Sequence, residues 1–267
     1  MDQIEGVRRT LMGVYVLADD IGFSRYIGNL GRLDTDAHEE IVQFASHIPV
    51  GGVVINAGAA LGDHVEVYSR LVGRDGHVFA FEPHPGACAA LAANMARVNN
   101  VTVVGRALGY EAGPNILFES VTQGCSAVLP GGASASGETV LADYTRVPLV
   151  QVPITVTTLD ICLLPVLTRC DLVHLDMEGT EWQALLGAQE LIRRFRPTIV
   201  VEIGQTHLTR WGLTPEKVLE LLSLLGYTVS DLNTINSEDI ERHGRVWNVL
   251  ATPIPGFIAP TLILSQQ

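Results

Sequence analysis

Three apolar runs, VVIN (53–56), HVFAFE (77–82) and VTVVGRAL (101–108), are separated by two stretches with helical spacing. In the first stretch, Leu61, Val65, Tyr68 and Leu71 or Val72 fall on one face, and Gly73 stops the helix. In the second, Pro83 and Pro85 open a helix whose face carries Ala87, Leu91, Met95 and Val98. The resulting β-α-β-α-β order leaves few folds open. Strands that are apolar along their whole length have both sides buried, which predicts a parallel sheet covered by helices on both faces.

The rest of the chain extends this plan. DLVHLDMEG (171–179) reads as a strand followed by a helix carrying Trp182, Leu185, Leu186 and Ile192, and TIVVEI (198–203) as a further strand. LTPEKVLELLSLLGY has Thr214 as cap, Pro215 at the first helical position and Gly226 as stop. YTVSDLN and VWNVLATP are expected to close the sheet as an antiparallel pair. NILFES and VPITVTTLD read as strands on either side of SVTQGCSAVLPGGASASGETV, a Gly/Ser-rich cover segment. Residues 1–50 are expected to be a helical N-terminal cover, with Ile41, Phe44, Ala45 and Ile48 at helical spacing before Pro49, Gly51 and Gly52 end the pattern. Residues 51–267 form the α/β domain, and the chain is expected to be one domain overall.

Composition excludes some functions. The net charge of −12 and the absence of a basic stripe argue against nucleic acid as a partner. Arg193, Arg194 and Arg196 read instead as the basic last turn of a helix. The N-terminal apolar run is too short and too soon acidic for a signal peptide or membrane span. The four cysteines include no CxxC and are expected to be free thiols. A cytoplasmic protein that does not insert into membranes is the expectation. Homo-oligomerisation is left open.

The turn INAGAALGDHV joins the first sheet strand to its helix, with Gly58 and Gly62 four apart. Gly58 can let the backbone approach a ligand, and Gly62 lies where the helix begins, beside free N–H groups and the positive dipole end. Glu82 follows twenty residues after Gly62, at the carboxyl end of the next strand. Ligands bind at such ends in open α/β sheets, and a carboxylate there can accept both hydroxyls of a ribose. A dinucleotide fingerprint needs G-x-G-x-x-G; here Asn56 occupies the first glycine position and the last glycine is one residue late. S-adenosylmethionine suits this turn better than NAD, although a nicotinamide-dependent oxidoreductase remains the alternative enzyme.

VVINAGAALGDH, FAFEPHP, Asn94, Asn99-Asn100, RALG, TTLD, LVHLDMEGTEWQALLGA and RPTIVVEI occur in this order. Together they resemble the FkbM-type methyltransferases, a branch of the S-adenosylmethionine-dependent enzymes. The resemblance implies a Rossmann-like class I fold, with a seven-stranded, mostly parallel sheet and a reversed last strand. It also implies methyl transfer to a hydroxyl on a small molecule: a sugar, glycolipid or natural product. By the same resemblance Gly58 and Gly62 hold the amino-acid portion of the cofactor, Glu82 its ribose, Ala107 and Leu108 lie near the adenine, and Asp176 stands beside the methyl group. Asn56, Ala57, Asp63 and Pro83 are expected to complete this crevice. One departure is Asn56, where the family usually has Asp; an amide offers no charge to the methionine ammonium. That departure motivates a non-enzyme alternative, a cofactor-binding domain that has lost catalysis.

Catalytic candidates lie at the carboxyl ends of LVHLD and TIVVE. They are Asp176, Glu178, Glu202 and His207, whose neutral-range pKa suits a general base. Glu181 reads as a first-turn acid, His174 as a packed core residue and His64 as decoration at a helix start. Asp176, Glu178 and Glu202 can also be read as a Mg²⁺ set, but their spacing does not demand one and no metal ligand is assigned. The acceptor is expected under segment 119–138 and the N-terminal helices, near Tyr15, Phe23, Tyr26, Cys125 and Ser126.

Overall fold

The computed structural model describes residues 7–18, 23–30, 32–35, 40–120, 126–128, 149–232 and 246–260. Its centre is a seven-stranded sheet. In chain order the strands before and within it begin with β1 (Val7–Arg9) and β2 (Tyr15–Leu17), which pair only with each other. The sheet itself starts with β3 (Val53–Ala57), β4 (His77–Phe81) and β5 (Val101–Val104). After β6 (Ala107–Leu108), β7 (Gly113–Ser120), β8 (Ser126–Val128) and β9 (Leu149–Thr157), it resumes with β10 (Leu172–Leu175) and β11 (Thr198–Gly204). It ends with β12 (Tyr227–Asp231) and β13 (Val246–Pro253). The spatial order is β12-β13-β11-β10-β3-β4-β5. β3, β4, β5, β10 and β11 run parallel, and β13 is antiparallel to both neighbours. The reversed last strand and the Rossmann-like class I arrangement are both present.

Strand alternation divides the sheet into two faces. Val54, Val78, Ala80, Leu172 and Val200 point to the face covered by α1 (Phe23–Leu30), α2 (Glu40–Phe44), α3 (Asp63–Val72) and α4 (Pro85–Asn94). Ile55, Ala57, Val173, Leu175, Ile199 and Val201 point to the other. That face packs against α5 (Leu159–Cys162), α6 (Glu181–Leu186), α7 (Gln189–Phe195), α8 (Gln205–Thr209) and α9 (Pro215–Leu224). Helix ends follow their sequence signals. His84 caps α4 by accepting from the Ala87 N–H at 3.1 Å, with Pro85 at the first position. Thr214 stands at the N-cap of α9, where its side chain bonds to Glu216. Arg193 and Arg194 fill the last turn of α7, and Arg196 leaves it in a left-handed conformation, donating to the carbonyls of Leu225 and Gly226.

Three expectations about elements need correction. The one helix expected to carry Trp182, Leu185, Leu186 and Ile192 is two, α6 and α7, with Gly187 closing the first by donating to the Gln183 carbonyl. Residues 1–50 are not helical throughout: β1 and β2 form an antiparallel hairpin. Its turn is set by Gly13 at φ 96°, while Thr10 accepts from the Val14 N–H through its side chain. A hairpin of two three-residue strands is too short to show a period of two. VTVVGRAL is not one strand either. The Arg106 N–H turns back onto the Val104 carbonyl, and Ala107–Leu108 leaves the main sheet to pair with β9. The middle of the chain thereby forms its own four-stranded sheet, β6-β9-β7-β8. Nine-residue β9 offers β7 a full antiparallel partner, which β5 at the edge of the main sheet does not.

The asparagines of the sequence motifs act as staples. Asn94 donates to the carbonyls of Tyr15 and Leu61 and accepts from the Tyr15 N–H, tying the hairpin to the turn after β3. Asn100 donates to the Ser69 and Gly73 carbonyls, which α3 leaves free at its end. Among the described residues, no helix is long and apolar enough to cross a membrane.

Candidate functional site

The turn after β3 is shaped by backbone more than by side chains. Gly58 has φ 81° and Ala60 φ 44°, and the N–H groups of Gly58 and Ala59 share the Phe81 carbonyl at 3.0 Å each. A Cβ on Gly58 would stand 1.6 Å from the Asp176 carbonyl oxygen. One on Gly62, at φ 107°, would meet Leu91 Cδ1 at 2.8 Å and Met95 Cε at 3.0 Å. The space that the spacing reserves for a ligand is therefore filled, on the Cβ side of both glycines, by the protein itself. Gly58 lets the end of β10 press against the turn, and Gly62 lets α4 do so.

Glu82 lies next to this turn. Its Oε2 accepts from the Ala60 N–H at 2.9 Å and its Oε1 from the His84 N–H at 2.8 Å. One carboxylate thus holds the turns after β3 and β4 together. It is 8% exposed, and burial pushes it up to about 7 against the pull of those two N–H bonds and the nearby His84. Each oxygen keeps a second lone pair, the capacity a pair of sugar hydroxyls requires. Pro83 is half-buried behind it.

The other expected cofactor residues divide. Ala57 is fully buried and faces the α5–α9 core. Ala107 and Leu108 are buried at the join between the two sheets. Asp63 is the first residue of α3 and is 5% exposed. Asn56 is completely buried, and neither its amide nitrogen nor its amide oxygen has a hydrogen-bond partner. A buried orphaned amide costs ~1–3 kcal/mol per unmet group, and such a group beside the sheet's ligand-binding end fits a site that a polar cofactor completes.

The second half of the site begins where the first touches it. Asp176 follows β10, its N–H on the Ala57 carbonyl and its own carbonyl against Gly58. The chain then turns through Glu178 (φ 59°) and Gly179 (φ 110°). Gly179 is required there because a Cβ would stand 2.8 Å from the His207 carbonyl oxygen. Glu178 reaches His207, Oε2 to Nε2 at 3.2 Å. Glu181 folds back to accept from the N–H groups of Met177 at 2.7 Å and Gly179 at 3.2 Å, so it pins the turn as well as starting α6. Glu202, near the end of β11, hydrogen-bonds Asp176.

Four carboxyl groups so close in a half-dry place cannot all be ionised. Burial, then the charges of Asp176, Glu178 and Glu181, push Glu202 well above the usual range. Burial and the charges of Asp176 and Glu181 push Glu178 up to about 8, opposed by Arg210. Burial raises Glu181 to about 7. The proton that this crowding retains is shared across the Asp176–Glu202 hydrogen bond. The cluster gathers all four catalytic candidates, Asp176, Glu178, Glu202 and His207, at one end of the sheet. Among the described residues, no group of three or more His, Cys, Asp or Glu side chains is arranged to hold a metal ion.

His174 is 1% exposed, with its Nδ1 2.8 Å from the Tyr68 hydroxyl, and is a core residue. His64 does more than decorate α3: its ring meets that of His174 edge-on at 4.7 Å. Of the expected acceptor residues, Tyr15 is tied to Asn94 through its backbone and Tyr26 to Asp34 through its hydroxyl. Cys125 lies outside the described residues, as do most of segment 119–138 and the side chains of Phe23 and Ser126. The sequence reading missed the backbone partners of Glu82, the pinning role of Glu181 and the Arg210 charge. Only Glu181 left a signal, as an acid in the motif LDMEGTE.

The model of the methyltransferase FkbM domain matches residues 56–229. No curated protein matches the chain. Among solved structures, a methyltransferase FkbM from Methylobacillus flagellatus KT aligns at 15% identity and a TM-score of 0.48, covering 75% of this chain. This chain spans only 43% of the length of that protein. An S-adenosylmethionine-dependent O-methyltransferase from Thermotoga maritima aligns at 14% identity and a TM-score of 0.48, covering 93% of this chain and 77% of its own. A putative rRNA methylase from Clostridium thermocellum aligns at 18% identity and a TM-score of 0.47, covering 83% and 96%.

Proposed function

Because this chain belongs to the FkbM methyltransferase family, whose methyl donor is S-adenosylmethionine, we propose that it methylates a hydroxyl on a small sugar, glycolipid or natural product. The observation that carries this reading is the contact of Gly58 with the Asp176 carbonyl. It sets the end of β10, which carries the Asp176–Glu202 pair, against the turn that Glu82 ties down, and this supports reading the two halves as one site. S-adenosylmethionine, when bound, supplies a methyl group already activated on a sulfonium. The protein's share is then alignment and removal of one proton.

In this reading Glu82 holds the ribose, Gly58 and Gly62 shape the turn against the amino-acid portion, and Ala107 and Leu108 border the adenine. Asp63, Asn56 and Pro83 complete the wall, and Ala57, whose side chain faces the α5–α9 core, offers it backbone alone. Asp176 takes the proton from the acceptor hydroxyl as the new O–C bond forms. Glu202, hydrogen-bonded to Asp176, keeps that side chain oriented. Glu178 and His207 form a second polar pair that can hold another hydroxyl of the acceptor. The acidic chain favours a neutral or cationic small molecule over nucleic acid.

The test is incubation of the purified chain with isotope-labelled S-adenosylmethionine and a library of hydroxyl-bearing compounds, read by mass spectrometry. A labelled ether product is expected. Asp176→Asn should lower turnover far more than affinity for S-adenosylhomocysteine, whereas equal losses would reduce Asp176 to a shaping role. Binding of the homocysteine form with no transfer to any acceptor would favour a degenerate cofactor-binding protein. Tight NAD binding in its place would favour an oxidoreductase.

A further inference from the structure

The N-terminal segment brings an unassigned carboxylate to the donor turn. Asp34 is 7% exposed, and its Oδ2 accepts from the hydroxyl of Tyr26 on α1. Leu33, next to it, is buried with Ala59 and Leu61, and its Cδ1 lies 3.9 Å from where a Cβ on Gly62 would stand. Leu33 thus packs on the turn between β3 and α3, and the buried Asp34 follows it directly in the chain. The hydrogen bond to Asp34 raises the Tyr26 hydroxyl above the usual phenol range, and the Asp34, Arg32 and Asp63 charges add smaller effects of both signs.

Asn56 supplies the second observation. It is fully buried, and both ends of its amide lack partners. It pairs across the sheet with His174, whose ring is 4.7 Å from that of His64, the residue after Asp63. The orphaned amide and the Asp63 corner of α3 therefore border one polar layer. An amide can both donate and accept, but it carries no charge. A zwitterionic amino-acid group needs an anion for its ammonium and a cation or free N–H groups for its carboxylate.

We propose that Asp34 and Tyr26 complete the binding site for the amino-acid end of the methyl donor, with Asp34 supplying the carboxylate for the ammonium that Asn56 does not. Tyr26 orients that carboxylate through its hydroxyl, Asp63 adds a second anion, and Arg32 with the first N–H groups of α3 faces the donor's own carboxylate. The N-terminal segment is then part of the cofactor site and not only a cover over the sheet. This rests on the donor reading of the preceding section.

Calorimetry on the full chain tests it with two nucleosides, S-adenosylhomocysteine and 5′-methylthioadenosine, which lacks the amino-acid group. Asp34→Asn is expected to weaken the first about tenfold, the scale of one charge-assisted hydrogen bond, and to leave the second unchanged. Tyr26→Phe, at a phenol that is 51% exposed, should shift the same ratio in the same direction by a smaller factor. Should Asp34→Asn fail to fold, the Tyr26→Phe ratio decides alone. Equal loss for both nucleosides, or an unchanged ratio in the folded variants, would overturn the assignment and leave Asp34 a packing residue. A wild-type chain that binds neither nucleoside would instead overturn the donor reading itself.

Discussion

If Glu82 holds the donor's ribose as proposed, donor binding depends on pH. Its carboxyl is raised from an ordinary 4.5 to about 7, chiefly by burial. Two backbone N–H groups already point at it, so a proton on either oxygen opposes a donor with a donor, and ribose hydroxyls need acceptors as well. If only the ionised form holds the sugar, apparent affinity scales with the ionised fraction: nearly all at pH 8.5, about half at pH 7 and about a tenth at pH 6. That is ~1.4 kcal/mol for each pH unit below 7. Calorimetric titration of S-adenosylhomocysteine between pH 5.5 and 8.5 should show a plateau above about pH 8 and a roughly tenfold rise in Kd per unit below 7. Glu178 and Glu181 titrate in the same range, so the comparison with Glu82→Gln isolates the effect. That variant should bind ~1–3 kcal/mol more weakly at pH 8 and lose the Glu82 limb of the profile. Parallel profiles for the two proteins would refute the argument. For stability the sign is opposite. A folded pKa above the unfolded one means stability that is full below 4.5 and lost as pH rises through about 7, at most ~3 kcal/mol for Glu82. The ligand-induced rise in Tm should therefore be larger at pH 8 than at pH 6.

The acidic cluster adds to that loss: Glu181 and Glu178, raised to about 7 and about 8, should lower the Tm of the free chain from pH 5.5 to pH 8.5. Glu181→Gln should flatten that slope, and a free chain whose Tm rises over this interval would contradict it. Gly58→Ala forces a Cβ to 1.6 Å from the Asp176 oxygen at φ 81°, and should cost well over ~2 kcal/mol by thermal melting. Gly212→Ala, with φ 66° but nothing within 4 Å, should cost only ~1 kcal/mol, so similar costs would refute the crowding account. Asn94→Ala removes three hydrogen bonds, two to the hairpin and one to the turn after β3, and should destabilise by ~2–4 kcal/mol in a denaturant melt. A change within ~0.5 kcal/mol would mean that the hairpin is held by packing alone.

The elements that the sequence announced are those with strong local codes. Continuous apolar runs with Gly and Pro stops located β3, α3, β4, α4, β10, β11 and α9 because burial on both faces leaves no polar alternation to confuse the reading. The hairpin and the break between β5 and β6 were hidden because each depends on a partner far along the chain. Two residues of β6 carry no period of their own, and β9 decides their place. At the site, Glu82 was legible because a carboxylate at the carboxyl end of a buried strand has few reasons to be there. Glu181 misled in part, since a first-turn acid looks the same whether it faces water or pins the preceding turn.

By itself the sequence determined the order of strands and helices from β3 to β5 and from β10 onward, the family, and which carboxylates stand at the ends of strands. Those follow from the hydrophobic period and from chain position, both of which are local. Only the tertiary structure decided that Gly58 yields its space to Asp176, that Glu82 closes two turns at once, and that Glu178, Glu181 and Glu202 are held above the usual carboxyl range beside Asp176. Contacts between residues a hundred positions apart, and the loss of water around them, set those properties, and no run of neighbouring letters records either.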